Sequence, residues 1–180
     1  MSRPSETKNI ILIGFMGAGK STVGRELERL GGFRLVDLDA VVVEQTGRSI
    51  PEIFSAEGEA SFRDYEAAAL RSLAGVNGMV IATGGGIIGR EENWQAMRQL
   101  GLVVYLRASW ATLSQRLAGS QGRPLADAGQ QRQQVEALWR QRLPLYEQAD
   151  LCIDTDELSV TEVARMILQC LDNERGNANV

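Results

Sequence analysis

The chain contains no histidine. That absence excludes Ser-His-Asp hydrolases, Cys-His proteases and His-ligated metal centres. A general base must then come from a carboxylate or a lysine. Cysteine is nearly absent too. Cys152 and Cys170 lie far apart, match no metal-ligand spacing, and each reads as a small buried apolar residue suited to a reducing cytosol. No apolar run approaches the length of a membrane span, and the N-terminal residues 1–8 are polar and too short for a signal peptide. Basic excess is also lacking. The net charge is −4, whereas a nucleic-acid surface needs clustered lysine and arginine. The expectation is a soluble cytoplasmic monomer whose partners are small molecules, not nucleic acid or membrane.

What is present is ample core material. With 180 residues of which 44% are hydrophobic, residues 1–172 are expected to form one compact domain. Short apolar runs at 10–13, 34–36, 79–82, 103–106 and 151–153 read as strands. They alternate with amphipathic helical stretches at 21–30, 39–45, 60–73, 91–100, 110–117, 132–143 and 159–171. This alternation implies βαβ units and a parallel sheet, an α/β fold. Ser49-Ile-Pro-Glu52 reads as a capping box that opens a further helix. Segment 119–131 breaks the rhythm: it is polar, glycine-rich and aperiodic. Long irregular segments in compact domains are usually lids or binding loops, and Arg123-Pro124 fits a lid that brings a cation to a bound anion. Residues 173–180 read as a disordered tail.

Residues 14–21, Gly-Phe-Met-Gly-Ala-Gly-Lys-Ser, form a complete G-x-x-x-x-G-K-[ST] loop between a strand and a helix. In that setting successive backbone N–H groups and the positive end of the helix converge on one spot, which suits a polyphosphate. Gly14, Gly17 and Gly19 free the backbone for positive φ and close approach. Lys20 is placed to reach the β- and γ-phosphates, and the Ser21 hydroxyl to ligate Mg²⁺. The chain is expected to bind a nucleoside triphosphate.

Two carboxylates, Asp37 and Asp39, stand where the second strand runs out, at the end where α/β sheets bind ligands. One of them has a competing role as a helix N-cap, which Asp39 before Ala40-Val-Val-Val fits. The third strand lacks the terminal aspartate typical of a Walker B motif, so Asp37 becomes the nearest carboxylate for the metal shell. Gly84-Gly-Gly86 after that strand suggests close approach of backbone to a ligand, or simply a flexible turn. Arg63 sits three residues before Glu66, a spacing that can fix a guanidinium by a salt bridge. Arg142 lies just before Pro144, where the helix is expected to end. Taken singly, each arginine reads as part of a solvated helix face. Together with the other features they can grip an anionic co-substrate in bidentate fashion.

These residues, with Gly14–Gly24, Ile53-Phe54, Gly58-Glu59, Phe62-Arg63, Arg123-Pro-Leu125 and Arg142-Leu-Pro-Leu-Tyr146, resemble the shikimate kinases in order and spacing. The resemblance runs from about Asn9 to Leu171. It implies a three-layer P-loop kinase fold of the nucleoside-monophosphate-kinase type, a five-stranded parallel sheet flanked by helices. A lid at about 119–131 and substrate-binding helices at about 39–66 belong to that fold. It further implies ATP and Mg²⁺ as cofactors and transfer of the γ-phosphoryl of ATP to the 3-hydroxyl of shikimate, in the route to chorismate and aromatic amino acids. Carried over by motif, Asp39 contacts the shikimate hydroxyls and acts as base, and Arg63 and Arg142 clamp the carboxylate beside the Gly85 and Gly86 backbone. Lys20 and Arg123 hold the phosphates and Ser21 ligates Mg²⁺. Gly17, Ala18, Gly19 and Thr22 line the nucleotide, and Arg116 packs near adenine.

One segment departs from the pattern. After the last strand the family often has a basic residue near adenine, whereas Ile153-Asp-Thr-Asp-Glu157 is acidic here. Two other classes share the loop. A gluconate kinase of the same fold lacks the Arg63 and Arg142 context, and a nucleotide-binding regulator lacks a second-substrate pocket.

Overall fold

A computed structural model of the chain describes residues 8–119 and 129–178. Among these residues, five strands make one parallel sheet in the order β2-β3-β1-β4-β5. They are β1 (Asn9–Ile13), β2 (Arg34–Asp37), β3 (Met79–Ala82), β4 (Gly101–Arg107) and β5 (Leu151–Asp154). β1 sits at the centre, and all five of its residues are buried, as its unbroken apolar run demands of a strand covered on both faces. The chain leaves β1 toward β2 on one side and later leaves β3 for β4 on the other. The order therefore reverses at the carboxyl end of β1, where sheets of this kind open a crevice.

Among the described residues, seven α-helices connect and flank the strands: α1 (Lys20–Gly31), α2 (Leu38–Thr46), α3 (Ile50–Ser72), α4 (Glu91–Leu100), α5 (Trp110–Ala118), α6 (Gly129–Tyr146) and α7 (Val160–Ala178). α1 lies close on the sheet because Gly24 has no side chain. A Cβ there would stand 2.6 Å from Leu35 Cδ1. The Ser49–Glu52 capping box forms as the sequence predicts, with both reciprocal bonds present. α3 is broken at Gly58 (φ 80°, ψ 179°), so that it consists of two helical pieces, 50–57 and 59–72. Only glycine adopts that conformation without strain.

Four expectations need correction. α6 does not stop before Pro144 but continues to Tyr146. The last turn survives the missing N–H because the Tyr146 ring is fully buried and stacks on Tyr105, with centroids 5.0 Å apart. α7 runs to Ala178, through residues read as a disordered tail. Cys152 is exposed and Cys170 half-buried, because Cys152 lies on the edge strand β5 rather than in the core. The fourth concerns Asp39, which is not the N-cap of α2. Asp37 holds that place.

Candidate active site

The phosphate loop takes the geometry its glycines allow, with φ of 151° at Gly14, 82° at Gly17 and 92° at Gly19. Gly14 is also a close-packing position, where a Cβ would lie 2.9 Å from the Leu106 carbonyl oxygen. Lys20 folds back over the loop. Its Nζ donates to the Gly14 carbonyl at 2.7 Å and the Phe15 carbonyl at 3.1 Å. The ammonium is thus held at the mouth of the ring of amides. Ser21 and Thr22 are exposed in the first turn of α1, beside it.

Two cavities meet this loop. One, of about 390 Å³, is lined by Gly17, Ala18, Thr22, Arg116, Thr155 and Leu158 among others. Arg116 reaches it from α5 and donates from Nη1 to the Gly17 carbonyl at 3.1 Å, which ties the guanidinium to the loop. The acidic segment after β5 is spent on the protein itself. Asp154 makes a two-pronged pair with Arg107 at 2.5 and 2.7 Å, and that pair holds its carboxyl below the ordinary range. Asp156 accepts the Ser109 N–H at 3.1 Å. Thr155, between them, is the residue of this segment that lines the cavity.

The second cavity, of about 420 Å³, brings together Lys20, Ser21, Asp37, Asp39, Arg63, Gly85, Gly86 and Arg142. The glycine run after β3 is the floor along which these side chains are arranged. A Cβ at Gly84 would stand 2.6 Å from Glu66 Oε1 and 3.4 Å from Asp39 Oδ1. At Gly85 the carbonyl accepts from Arg142 Nη1 at 3.3 Å and from the Tyr146 hydroxyl at 2.5 Å. At Gly86 a Cβ would collide with the Arg63 guanidinium. Close approach thus accounts for Gly84 and Gly86, whereas a Cβ at Gly85 would find ordinary contact distances; none of the three has positive φ.

Arg63 is fixed as its spacing predicts. Nη1 donates to Glu66 Oε2 at 2.9 Å and Nη2 to Glu59 at 2.9 Å. Glu66 is fully buried, its Oε1 has no hydrogen-bond partner, and burial pushes its carboxyl up against the pull of Arg63. Asp37 accepts the Asp39 N–H on Oδ1 at 3.0 Å, which leaves its second oxygen for other partners. No cluster of three metal-ligating side chains exists among the described residues. Ser21 and Asp37 on one cleft are nonetheless what Mg²⁺ requires, since that ion keeps most of its shell as water and substrate phosphate. Arg123 and most of the 119–131 segment lie outside the described residues.

Sequence reasoning missed one wall of the cleft. Phe54 is 40% exposed and packs on Phe62 with centroids 4.8 Å apart, and Ile50 and Leu138 complete the lining. The available signal was Phe54, a bulky aromatic in the first turns after a capping box and next to the buried Ile53.

A profile of the shikimate kinase family matches residues 16–172. The shikimate kinase of Geobacter sulfurreducens is 47% identical over 167 residues, covering 93% of this chain and 92% of its own length. That of Thermodesulfovibrio yellowstonii is 43% identical over 162 residues, 90% of this chain and 94% of its own. Among solved structures, shikimate kinase from Acinetobacter baumannii in complex with shikimate is similar with a TM-score of 0.84 at 37% identity, covering 94% of this chain and 96% of that one. A gluconokinase from Sinorhizobium meliloti, at 19% identity and a TM-score of 0.67 over 99% of this chain and 98% of its own, shares the fold alone. On the family profile and these relatives, the chain belongs to the shikimate kinase family.

Proposed function

We propose that this cleft transfers the γ-phosphoryl group of ATP to the 3-hydroxyl of shikimate, with Asp39 as the base. Membership of the family makes the chain an ATP-dependent phosphotransferase acting on shikimate, in aromatic biosynthesis. The assignment of roles to residues is our reading of the site. Its main support is the second cavity, where a phosphate loop, a carboxylate and two arginines from four separate segments line one space over a glycine floor.

Phosphoryl transfer asks mostly for positioning and for cations where charge spreads. Lys20 and the loop amides hold the β- and γ-phosphates. Arg123 brings a further cation from the lid, and Arg116 covers the base in the neighbouring cavity with Gly17, Ala18, Gly19 and Thr22 around the phosphates. Ser21, and Asp37 directly or through water, would hold Mg²⁺, whose charge would offset that of the phosphate oxygens. Arg63 and Arg142 fork onto the shikimate carboxylate beside the Gly85 and Gly86 backbone. That anchors the ring so that its hydroxyls meet Asp39, which orients the attacking hydroxyl and accepts its proton. Glu66 acts behind Arg63, holding its guanidinium in the pose that the anion needs.

We read the chain as a monomer of the cytoplasm. Among the described residues no helix is long and apolar enough to cross a membrane. The decisive experiment is a coupled ADP-release assay over a panel of hydroxy acids that includes shikimate and gluconate. Turnover confined to shikimate is expected. A kcat/KM for gluconate equal to or above that for shikimate would overturn the substrate assignment.

A further inference from the structure

The Gly85 carbonyl receives two donors from one helix. Arg142 and Tyr146 are four residues apart on α6 and therefore on one face. Their contacts are unequal. The Tyr146 hydroxyl stands 2.5 Å from the oxygen, a short bond for O–H···O, while Arg142 Nη1 stands at 3.3 Å, long for N–H···O. Tyr146 is fully buried, its ring is stacked within 14° of parallel on Tyr105, and nothing about its place suggests adjustment to solvent. Burial also pushes its phenol well above the ordinary range, so it remains a neutral donor throughout physiological pH.

The position of Gly85 gives this bond a wider reach. A Cβ there would lie 3.5 Å from the Tyr146 oxygen, 3.6 Å from the Gly14 carbonyl oxygen and 3.7 Å from the Met16 nitrogen. The peptide that Tyr146 grips thus packs between the end of α6 and the phosphate loop.

We propose that Tyr146 is a positioning residue for the substrate's carboxylate. Its hydroxyl satisfies the Gly85 carbonyl and thereby leaves the Arg142 guanidinium available for the anion, while the same bond sets the end of α6 against the Gly85–Gly86 backbone. A carbonyl deprived of the phenol would draw Arg142 inward, since a half-buried acceptor favours a donor already within reach. The guanidinium would then meet the anion with its fork turned away. The inference rests on the assignment of Arg142 to the shikimate carboxylate.

Tyr146→Phe keeps the ring and its stack on Tyr105 but removes the donor. The expected result is a rise of about five- to thirtyfold in KM for shikimate, matching one lost hydrogen bond at a half-buried acceptor. The kcat and the KM for ATP should change by no more than about twofold. Tyr105→Leu serves as the packing control. It should lower Tm and leave KM for shikimate in place. Arg142→Ala and the double variant Arg142→Ala/Tyr146→Phe complete a cycle, in which removal of the hydroxyl should have little further effect once Arg142 is gone. Each outcome decides something. If Arg142→Ala leaves KM for shikimate unchanged, the carboxylate assignment itself falls. If Arg142→Ala raises KM but Tyr146→Phe acts equally in both backgrounds, or Tyr105→Leu reproduces its kinetic effect, Tyr146 is a packing residue and the positioning proposal is overturned.

Discussion

Asp37 accepts the backbone N–H of Asp39 at 3.0 Å and so caps the helix in whose first turn Asp39 stands. Both carboxylates line the cleft, but only the first also fixes the local backbone, while the second stands beside the Gly84 floor. Replacing Asp39 by Asn removes a base while preserving shape. A fall in kcat on the order of 10²–10⁴ is expected, with affinity for ATP unchanged. Asp37→Asn keeps an acceptor for the cap, so Tm should hold while the Mg²⁺ concentration needed for half-maximal rate rises. Asp37→Ala should in addition lose about 1 kcal/mol of stability with the cap. Mg²⁺ titrations, turnover and melting curves on the three variants separate the roles, and exchanged phenotypes would reverse the assignment.

Lys20 is held on the Gly14 and Phe15 carbonyls of its own loop, at the place where a phosphate oxygen would receive its charge. Lys20→Ala should reduce ADP release by on the order of 10³ or more and shift Tm by only a few degrees. Lys20→Arg should not restore the rate, because a planar fork cannot follow the path of a single ammonium between two carbonyls. Retention of more than a tenth of the wild-type rate in Lys20→Ala would remove the phosphate loop from the mechanism.

Acid sensitivity has an identifiable source away from the cleft. Glu26 on α1 bonds both Arg29, at 2.7 Å, and Thr161 of α7, at 2.6 Å, and these bonds hold its carboxyl down to about 2 from an ordinary 4.5. A carboxyl whose pKa is lower in the folded state stabilises the fold above its unfolded value. That contribution is lost as pH falls from about 4.5 through about 2. Glu26→Gln should therefore melt below wild type at pH 7, with the difference shrinking across that window and closing near its lower end. Tm measured at intervals from pH 7 to pH 2 tests this. A gap that stays constant would show that the charge of Glu26 is not involved.

The readability of this chain follows from how local each signal is. The phosphate loop was legible because its function lies in backbone geometry, and only glycine, lysine and serine at set intervals produce it. The Ser49–Glu52 box and the Arg63–Glu66 pair were legible for the same reason, since both bridge three residues of one helix. Pro144 misled because a local rule was overridden by a distant contact, the seating of Tyr146 on Tyr105 and Gly85. The division between Asp37 and Asp39 depended on a single hydrogen bond and a helix start one residue earlier than the apolar pattern suggested. The Phe54 wall could not be read from periodicity. Another residue that lines the cleft with it, Leu138, is contributed by α6, far along the chain.

The last prediction uses the contact between Gly86 and Arg63. Gly86 has φ −100°, which any residue adopts, so a methyl group there brings no backbone strain and acts solely through what it strikes. What it strikes is the Arg63 guanidinium, already held from behind by the buried Glu66. Gly86→Ala should push the fork off the substrate carboxylate while leaving the phosphate loop untouched. Charge-assisted bonds of this kind contribute roughly 1.5–3 kcal/mol each, so kcat/KM for shikimate should fall about ten- to a hundredfold, with KM for ATP unchanged. Gly89→Ala, three residues on and with open space around its Cβ, is the control and should behave as wild type. Arg63→Ala should produce a similar loss, and Arg63→Lys should recover little of it, because an ammonium cannot reproduce the planar fork. Shikimate amide provides the discriminating substrate: it retains every hydroxyl and lacks the anion. It should be turned over poorly by wild type and about equally poorly by Gly86→Ala and Arg63→Ala. If the variants lose as much activity on the amide as on the acid, the arginine shapes the cleft without holding a carboxylate, and the clamp must be abandoned.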